Sequence, residues 1–178
     1  MSSNNIQLPP LERINQCLEV STESPSGLVW KYREELPPGM NKRFAGKRAG
    51  CVRISDGYGY WVVRIEDRLY RAHRIIYALI HGKDPLDRLV DHIDGNGLNN
   101  VEGNLRIATH VQNSCNSKKP SSNTKGFKGV FPRKDRWRAK VTFKGKPYLF
   151  GSHATPEEAH AAYVVGSKQL HGEFHHPG

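Results

Sequence analysis

The stretch "LVDHIDGNGLNNVEGNLRIATHVQN", residues 89–113, decides how the chain is read. It opens with an acid and an imidazole side by side, Asp91 and His92. It then crosses a loop rich in Gly and Asn and reaches Asn104 and Asn113. Neighbours on a strand point to opposite faces, so Asp91 and His92 suit different tasks rather than one shared grip on a metal. A carboxylate is a hard ligand fitted to magnesium or manganese. A neutral imidazole is a fit general base for water at cellular pH. "GNGLNN" supplies turn residues for a tight excursion. "NLRIA" reads as a second strand, and Thr109 can cap a helix, "HVQNSCNSKK", that returns Asn113 toward the first strand. The expectation is strand, loop, strand, helix, with polar side chains converging. The same residues also suit an Asx-rich hairpin whose Asp and Asn merely satisfy backbone groups.

Working outward, the 178 residues allow one domain or two small ones, with a core of moderate size. Hydrophobic content is 37% and the formal net charge is +10, which points to a large anionic partner. Residues 118–178 hold 12 Lys/Arg against 4 Asp/Glu (+8), while residues 1–117 hold 15 against 13 (+2), so the basic function sits mainly in the C-terminal third. Cys17, Cys51 and Cys115 are far apart, and no Cys-x-x-Cys pair exists. Neither a disulfide framework nor a structural zinc is expected, and a reducing cytoplasm fits. The start "MSSNNIQLPPLERINQ" lacks the charged and apolar run of a signal peptide. No apolar run approaches the roughly 20 residues needed to span a bilayer, so no membrane partner is expected.

Along the chain, residues 1–24 are read as an N-terminal helical segment, with Leu11, Ile14 and Leu18 on one face of "PPLERINQCLEV". "LVWKY" reads as a strand and "EELPPGMNKRFAGKRAG" as a basic loop. "CVRIS" and "YGYWVVRIE" read as strands joined at "DG". In "LYRAHRIIYALIHG", Ala72, Ile75, Ile76, Leu79 and Ile80 form a helical stripe that Gly82 closes. Residues 118–125 read as a polar linker. Beyond it, "KGVFPR", "RWRAKVTFKG" and "KPYLFGSH" suggest three short strands. In the helix that follows, Thr155 is the N-cap, Pro156 the first helical residue, and Glu158 closes a capping box. Ala159, Ala162, Tyr163, Gly166 and Leu170 line its packing side. Within "RWRAKVTF", alternation puts Arg136, Arg138, Lys140 and Thr142 on one side and Trp137, Ala139, Val141 and Phe143 on the other. Lys128 and Arg133 join the basic side, and together these cations are candidates for DNA contact.

"DH", "NNVEGNLR" and "QN", with the preceding "YRAHRIIYALIHG" and "AGKRAGCVRISDGYGYWVV", closely resemble the HNH nuclease motif of phage and group I intron homing endonucleases. The likeness covers residues 25–117, taken as the nuclease domain. Asn113 stands where many HNH enzymes have histidine. The resemblance implies that Asp91 and Asn113 hold one divalent cation, Mg2+ or Mn2+, per active site, and that His92 deprotonates the attacking water. It implies that Asn104 orients the His92 loop by hydrogen bonds rather than touching substrate. Arg74, on the preceding helix, is a candidate phosphate clamp. Residues 126–178, through "KGVFPR", "WRAKVTF", "FGSHATPEEAHAAY" and "HGEF", resemble the Apetala-type (ethylene-response-factor) DNA-binding domain. Its third strand, "KPYLFG", lacks the Arg and Trp of the plant proteins, so their base specificity does not carry over.

The expected fold class is α+β: a ββα-metal nuclease domain followed by a small three-stranded antiparallel sheet on one helix. The expected function is metal-dependent, homing-like, site-preferring cleavage of double-stranded DNA by a phage-encoded protein in the host cytoplasm, with no small-molecule cofactor. One HNH site cuts one strand, so a monomer nicks, and a double-strand break calls for a homodimer or sequential nicks. A non-catalytic DNA-binding regulator on the same scaffold is the rival reading, against which the intact set of Asp91, His92, Asn104 and Asn113 speaks.

Overall fold

The computed structural model describes residues 7–55, 57–117 and 126–177, and the expected linker 118–125 lies outside these. The chain forms two compact units, Met1–Thr109 and His110–Gly178. The fold is α+β throughout, as its pattern of short strands and amphipathic helices requires.

In the first unit, helix α1 (Leu11–Cys17) runs into strand β1 (Leu18–Val20), which pairs antiparallel with β2 (Leu28–Trp30). Leu18, expected on the helix face, opens the strand instead and is buried all the same. Helix α2 (Pro38–Phe44) lies in the stretch expected to be a basic loop. It shows no apolar stripe because its buried residue is polar: Asn41 accepts the Arg33 amide through Oδ1 (3.0 Å) and donates through Nδ2 to the Arg33 carbonyl (2.7 Å). Periodicity has nothing to detect there.

Strands β3 (Cys51–Ser55), β4 (Tyr58–Ile65) and β5 (Arg68–Arg71) form an antiparallel meander, with β3 an exposed edge. Helix α3 (Ala72–His81) follows and ends at Gly82, whose φ of 66° is the left-handed cap a glycine adopts without penalty. The α3 stripe packs Ala72, Ile75 and Ile76, all fully buried, against Ile14, Leu18, Leu28 and Val63. Burial of each isoleucine contributes about 1.5–3 kcal/mol. Strands β6 (Leu89–His92) and β7 (Leu105–Ala108) then pair antiparallel, with Asp91 opposite Arg106 and His92 opposite Leu105.

The second unit contains helix α4 (His110–Cys115), the sheet β8 (Val130–Arg133), β9 (Arg136–Phe143) and β10 (Lys146–His153), and helix α5 (Pro156–His171). The sheet order is β10-β9-β8, all antiparallel. Ala139 and Val141 bury against Tyr163, with Phe150, Ala162 and Leu170 around them. Thr155 Oγ1 accepts the Glu158 amide at 3.2 Å, and Glu158 Oε2 accepts the Ala154 amide at 3.0 Å, so two donors at the start of α5 are satisfied. Among the described residues no helix is long and apolar enough to cross a membrane.

Candidate active site

Asp91 and His92 end β6, and both are buried. Valine and leucine before them hold the strand against the core, which places the polar pair where the apolar layer stops. His92 Nε2 lies 2.9 Å from Asn100 Oδ1, and Asn100 Nδ2 donates to the Ser26 carbonyl at 2.9 Å. A carbonyl can only accept, so Ser26 fixes the Asn100 amide with Oδ1 toward the ring. Nε2 must then carry the proton, and the basic lone pair sits on Nδ1. Burial is the main cause that lowers the His92 pKa below its ordinary value, although the hydrogen bond to Asn100 and the charges of Asp94 and Asp91 oppose it. The ring is therefore neutral at neutral pH, which is the state a general base needs.

The Ser26 carbonyl reaches Asn100 because Gly27 turns the chain at φ 79°, where a Cβ would lie 2.6 Å from Ile76 Cδ1 and 3.2 Å from Asn100 Cβ. Nothing in the sequence singled out Ser26, Gly27 or Asn100 for this task. The one available signal was the paired asparagine in "LNN", which also reads as ordinary turn chemistry.

Asn104 closes the loop between the strands. Its Oδ1 accepts the Asp94 amide (3.1 Å), and its Nδ2 donates to Asp94 Oδ1 (3.0 Å) and the Asn99 carbonyl (2.8 Å). Asp94 also accepts from the Asn96 amide and from Asn99 Nδ2. Burial opposes ionisation of Asp94, and these donors outweigh it, so its pKa is lowered. Asn104 thus acts on the loop through Asp94 and Asn99.

His73 on α3 meets the His92 ring edge-on, with centroids 4.8 Å apart, and Tyr60 lies 6.0 Å from His73 and 6.4 Å from His92. His73 is buried, and its Nδ1 has no hydrogen-bond partner. Burial first, then repulsion from the His92 ring when it is protonated and from Arg71 and Arg74, hold its pKa well below the ordinary histidine value. The ring is an apolar-like wall behind the base.

Asp91 pairs with Arg106. Arg106 Nε and Nη2 both reach Asp91 Oδ2, at 3.1 and 3.0 Å, with side-chain exposures of 10% and 7%. Asn113 lies on α4 in the second unit and is described within that unit alone. Among the described residues no three His, Cys, Asp or Glu side chains gather into a metal cage. A single buried carboxylate still fits a hard divalent cation of the magnesium type, which takes one or two carboxylates and completes its shell with water and substrate phosphate.

Two of the expected DNA contacts, Arg74 and Lys128, are engaged in hydrogen bonds within their own units. Arg74 is 4% exposed: Nη1 donates to the Arg88 carbonyl (3.0 Å), and Nη2 to Asp84 Oδ1 (3.3 Å) and the Leu86 carbonyl (3.1 Å). It braces the segment between α3 and β6. Lys128 Nζ donates to the carbonyls of Cys115 (3.1 Å), Ser117 (2.6 Å) and His176 (3.3 Å), so its ammonium caps backbone within the second unit. Arg133, Arg136, Arg138 and Lys140 do share the outer sheet face with exposed Phe131 and Leu149. Lys140 lies 4.7 Å over the Phe131 ring, and Arg136 donates to the Ser152 carbonyl at 2.8 Å.

A two-strand hairpin whose first strand ends in Asp-His, with its loop clamped by asparagine, fits the hairpin of an HNH motif. The HNH endonuclease family description matches residues 70–115. Residues 70–115 are thus an HNH endonuclease domain within the chain. It is 41% identical over 106 residues to Protein 3.8 of Escherichia phage T7, an alignment covering 58% of this chain and 87% of that protein. It is 43% identical over 106 residues to an uncharacterized HNH endonuclease of Acanthamoeba polyphaga mimivirus, covering 59% of this chain and 55% of that protein. No solved structure matches the chain.

Proposed function

We propose that the chain is a metal-dependent DNA endonuclease of homing-like, site-preferring habit that nicks one strand per active site. The observation that carries this reading is the buried His92 ring, held neutral with its lone pair on Nδ1 and next in sequence to the buried Asp91. Hydrolysis of a phosphodiester needs a water that loses a proton as its oxygen attacks phosphorus, and His92 Nδ1 is the acceptor. Asp91 and, by its family position, Asn113 would hold one Mg2+ or Mn2+, which supplies charge neutralisation for the phosphate and the departing oxygen. Asn104 keeps the His92 loop in one shape through Asp94 and Asn99. The basic outer face of the C-terminal sheet, resembling the Apetala-type domain, anchors duplex DNA through Arg133, Arg136, Arg138 and Lys140. The viral relatives support a virus-encoded protein, and its place of action in this reading is the host cytoplasm.

Supercoiled plasmid with Mg2+ or Mn2+ tests the proposal. The full chain should convert it to nicked circles, and His92→Ala should not, while binding DNA within about twofold of the parent, because the base acts in the chemical step alone. Undiminished nicking by His92→Ala removes His92 from the mechanism. No nicking by the parent chain with either metal overturns the enzymatic reading.

A further inference from the structure

Asp91 and Arg106 face each other across β6 and β7, and both side chains are nearly sealed from water. Two guanidinium nitrogens converge on one carboxylate oxygen, Oδ2. Buried in this way, the carboxylate needs a cation beside it, and the fold itself supplies one. A divalent ion on the same carboxylate would meet that guanidinium at short range, and two positive groups in a poorly solvated place repel strongly. Local charge makes the conflict concrete. Asp91 contributes −1 and Arg106 +1, so adding the ion leaves +2 at the pair. Asp94, the other carboxylate of this loop, is occupied by the Asn96 amide, Asn99 and Asn104. The missing negative charge is what a DNA phosphate brings, and a guanidinium binds phosphate as readily as carboxylate.

We propose that Arg106 is a positioning residue that holds Asp91 in the free protein and makes cation uptake depend on bound DNA, the guanidinium passing from carboxylate to a backbone phosphate as the cation takes its place. This inference rests on Asp91 being the cation ligand. The guanidinium keeps the carboxylate from trapping a cation before substrate arrives.

The test is Mn2+ binding to the full chain, read from the magnetic-resonance signal of the free ion, with no turnover required. Without DNA the parent chain should bind Mn2+ weakly. Arg106→Gln should bind it about tenfold tighter, within the usual range of coupling between two sites, and Arg106→Lys, which keeps the charge on a single-point contact, about threefold tighter, below that range. A short duplex should raise Mn2+ affinity in the parent chain and raise it much less in Arg106→Gln. Equal DNA-free affinity in the parent and a folded Arg106→Gln overturns the inference. Should Arg106→Gln not fold, Arg106→Lys decides alone, and affinity equal to the parent overturns the inference in the same way. The double variant Asp91→Asn with Arg106→Gln separates the two levels. Loss of the gain there is the expected result. A gain that persists removes Asp91 as the ligand, and this inference with it.

Discussion

Arg74 donates to two carbonyls and a carboxylate from inside the first unit, and only by leaving that position could it reach a phosphate. Arg74→Ala is therefore expected to lower stability by about 3 kcal/mol, because Asp84 loses its buried partner. The salt dependence of DNA affinity should not change. Chemical unfolding together with binding at several salt concentrations checks both halves, and a flattened salt slope at unchanged stability would refute the assignment. His73 gives the pH prediction. Its folded pKa lies well below 6.5, so as pH falls through 6.5 the unfolded chain takes up the proton first. The unfolded state then binds more protons, and stability falls from pH 6.5 downward until the folded pKa is reached. The midpoint of thermal unfolding should be lower at pH 5.5 than at 7.5, and His73→Phe should remove part of that difference. An unchanged difference in the variant assigns the acid sensitivity to other groups.

At the scale of elements, two glycines set how closely segments approach. In Gly27→Ala the new Cβ meets Ile76 Cδ1 in a backbone conformation that L residues avoid, so a loss of about 1–3 kcal/mol is expected, along with slower nicking as Asn100 shifts. Gly166 lies on α5 under the Phe150 ring, where a Cβ would sit 2.5 Å from ring carbons. Helix preference favours alanine by about 1 kcal/mol, but overpacking by about 1–3 kcal/mol opposes it. Gly166→Ala should unfold at lower denaturant, and a higher midpoint would show that Phe150 moves aside freely. The sequence made the strands, α3 and α5 legible because their apolar residues repeat at 2 or 3.6 positions and their ends carry turn or capping residues. It hid α2, whose anchor is the polar Asn41, and it hid the Asn100 to Ser26 bond, which joins positions 74 residues apart. Asp91 and His92 stood out through their types alone. Arg106 did not, because an arginine on a strand reads as solvated surface until register sets it opposite an acid.

For the whole molecule, a formal charge of +10 would act on a nucleic acid through the cations left facing outward. Replacing Arg133, Arg138 and Lys140 together by alanine should reduce the slope of log affinity against log salt by about 2–3, each duplex phosphate contact counting roughly 0.9. Lys128→Ala, which removes a cap on three carbonyls, should leave the slope in place and weaken the fold. A slope that falls for Lys128 and not for the triple variant would move the anchor away from the sheet face. The support of His92 by a carbonyl at residue 26 also bears on portability. The family match begins at Tyr70 and contains acid, base and clamp, yet the group that assigns the imidazole its proton lies far upstream of it. Grafted alone onto another scaffold, residues 70–115 would bring every letter of the motif and leave its histidine free to interchange tautomers, a catalyst spelled correctly and tuned at random.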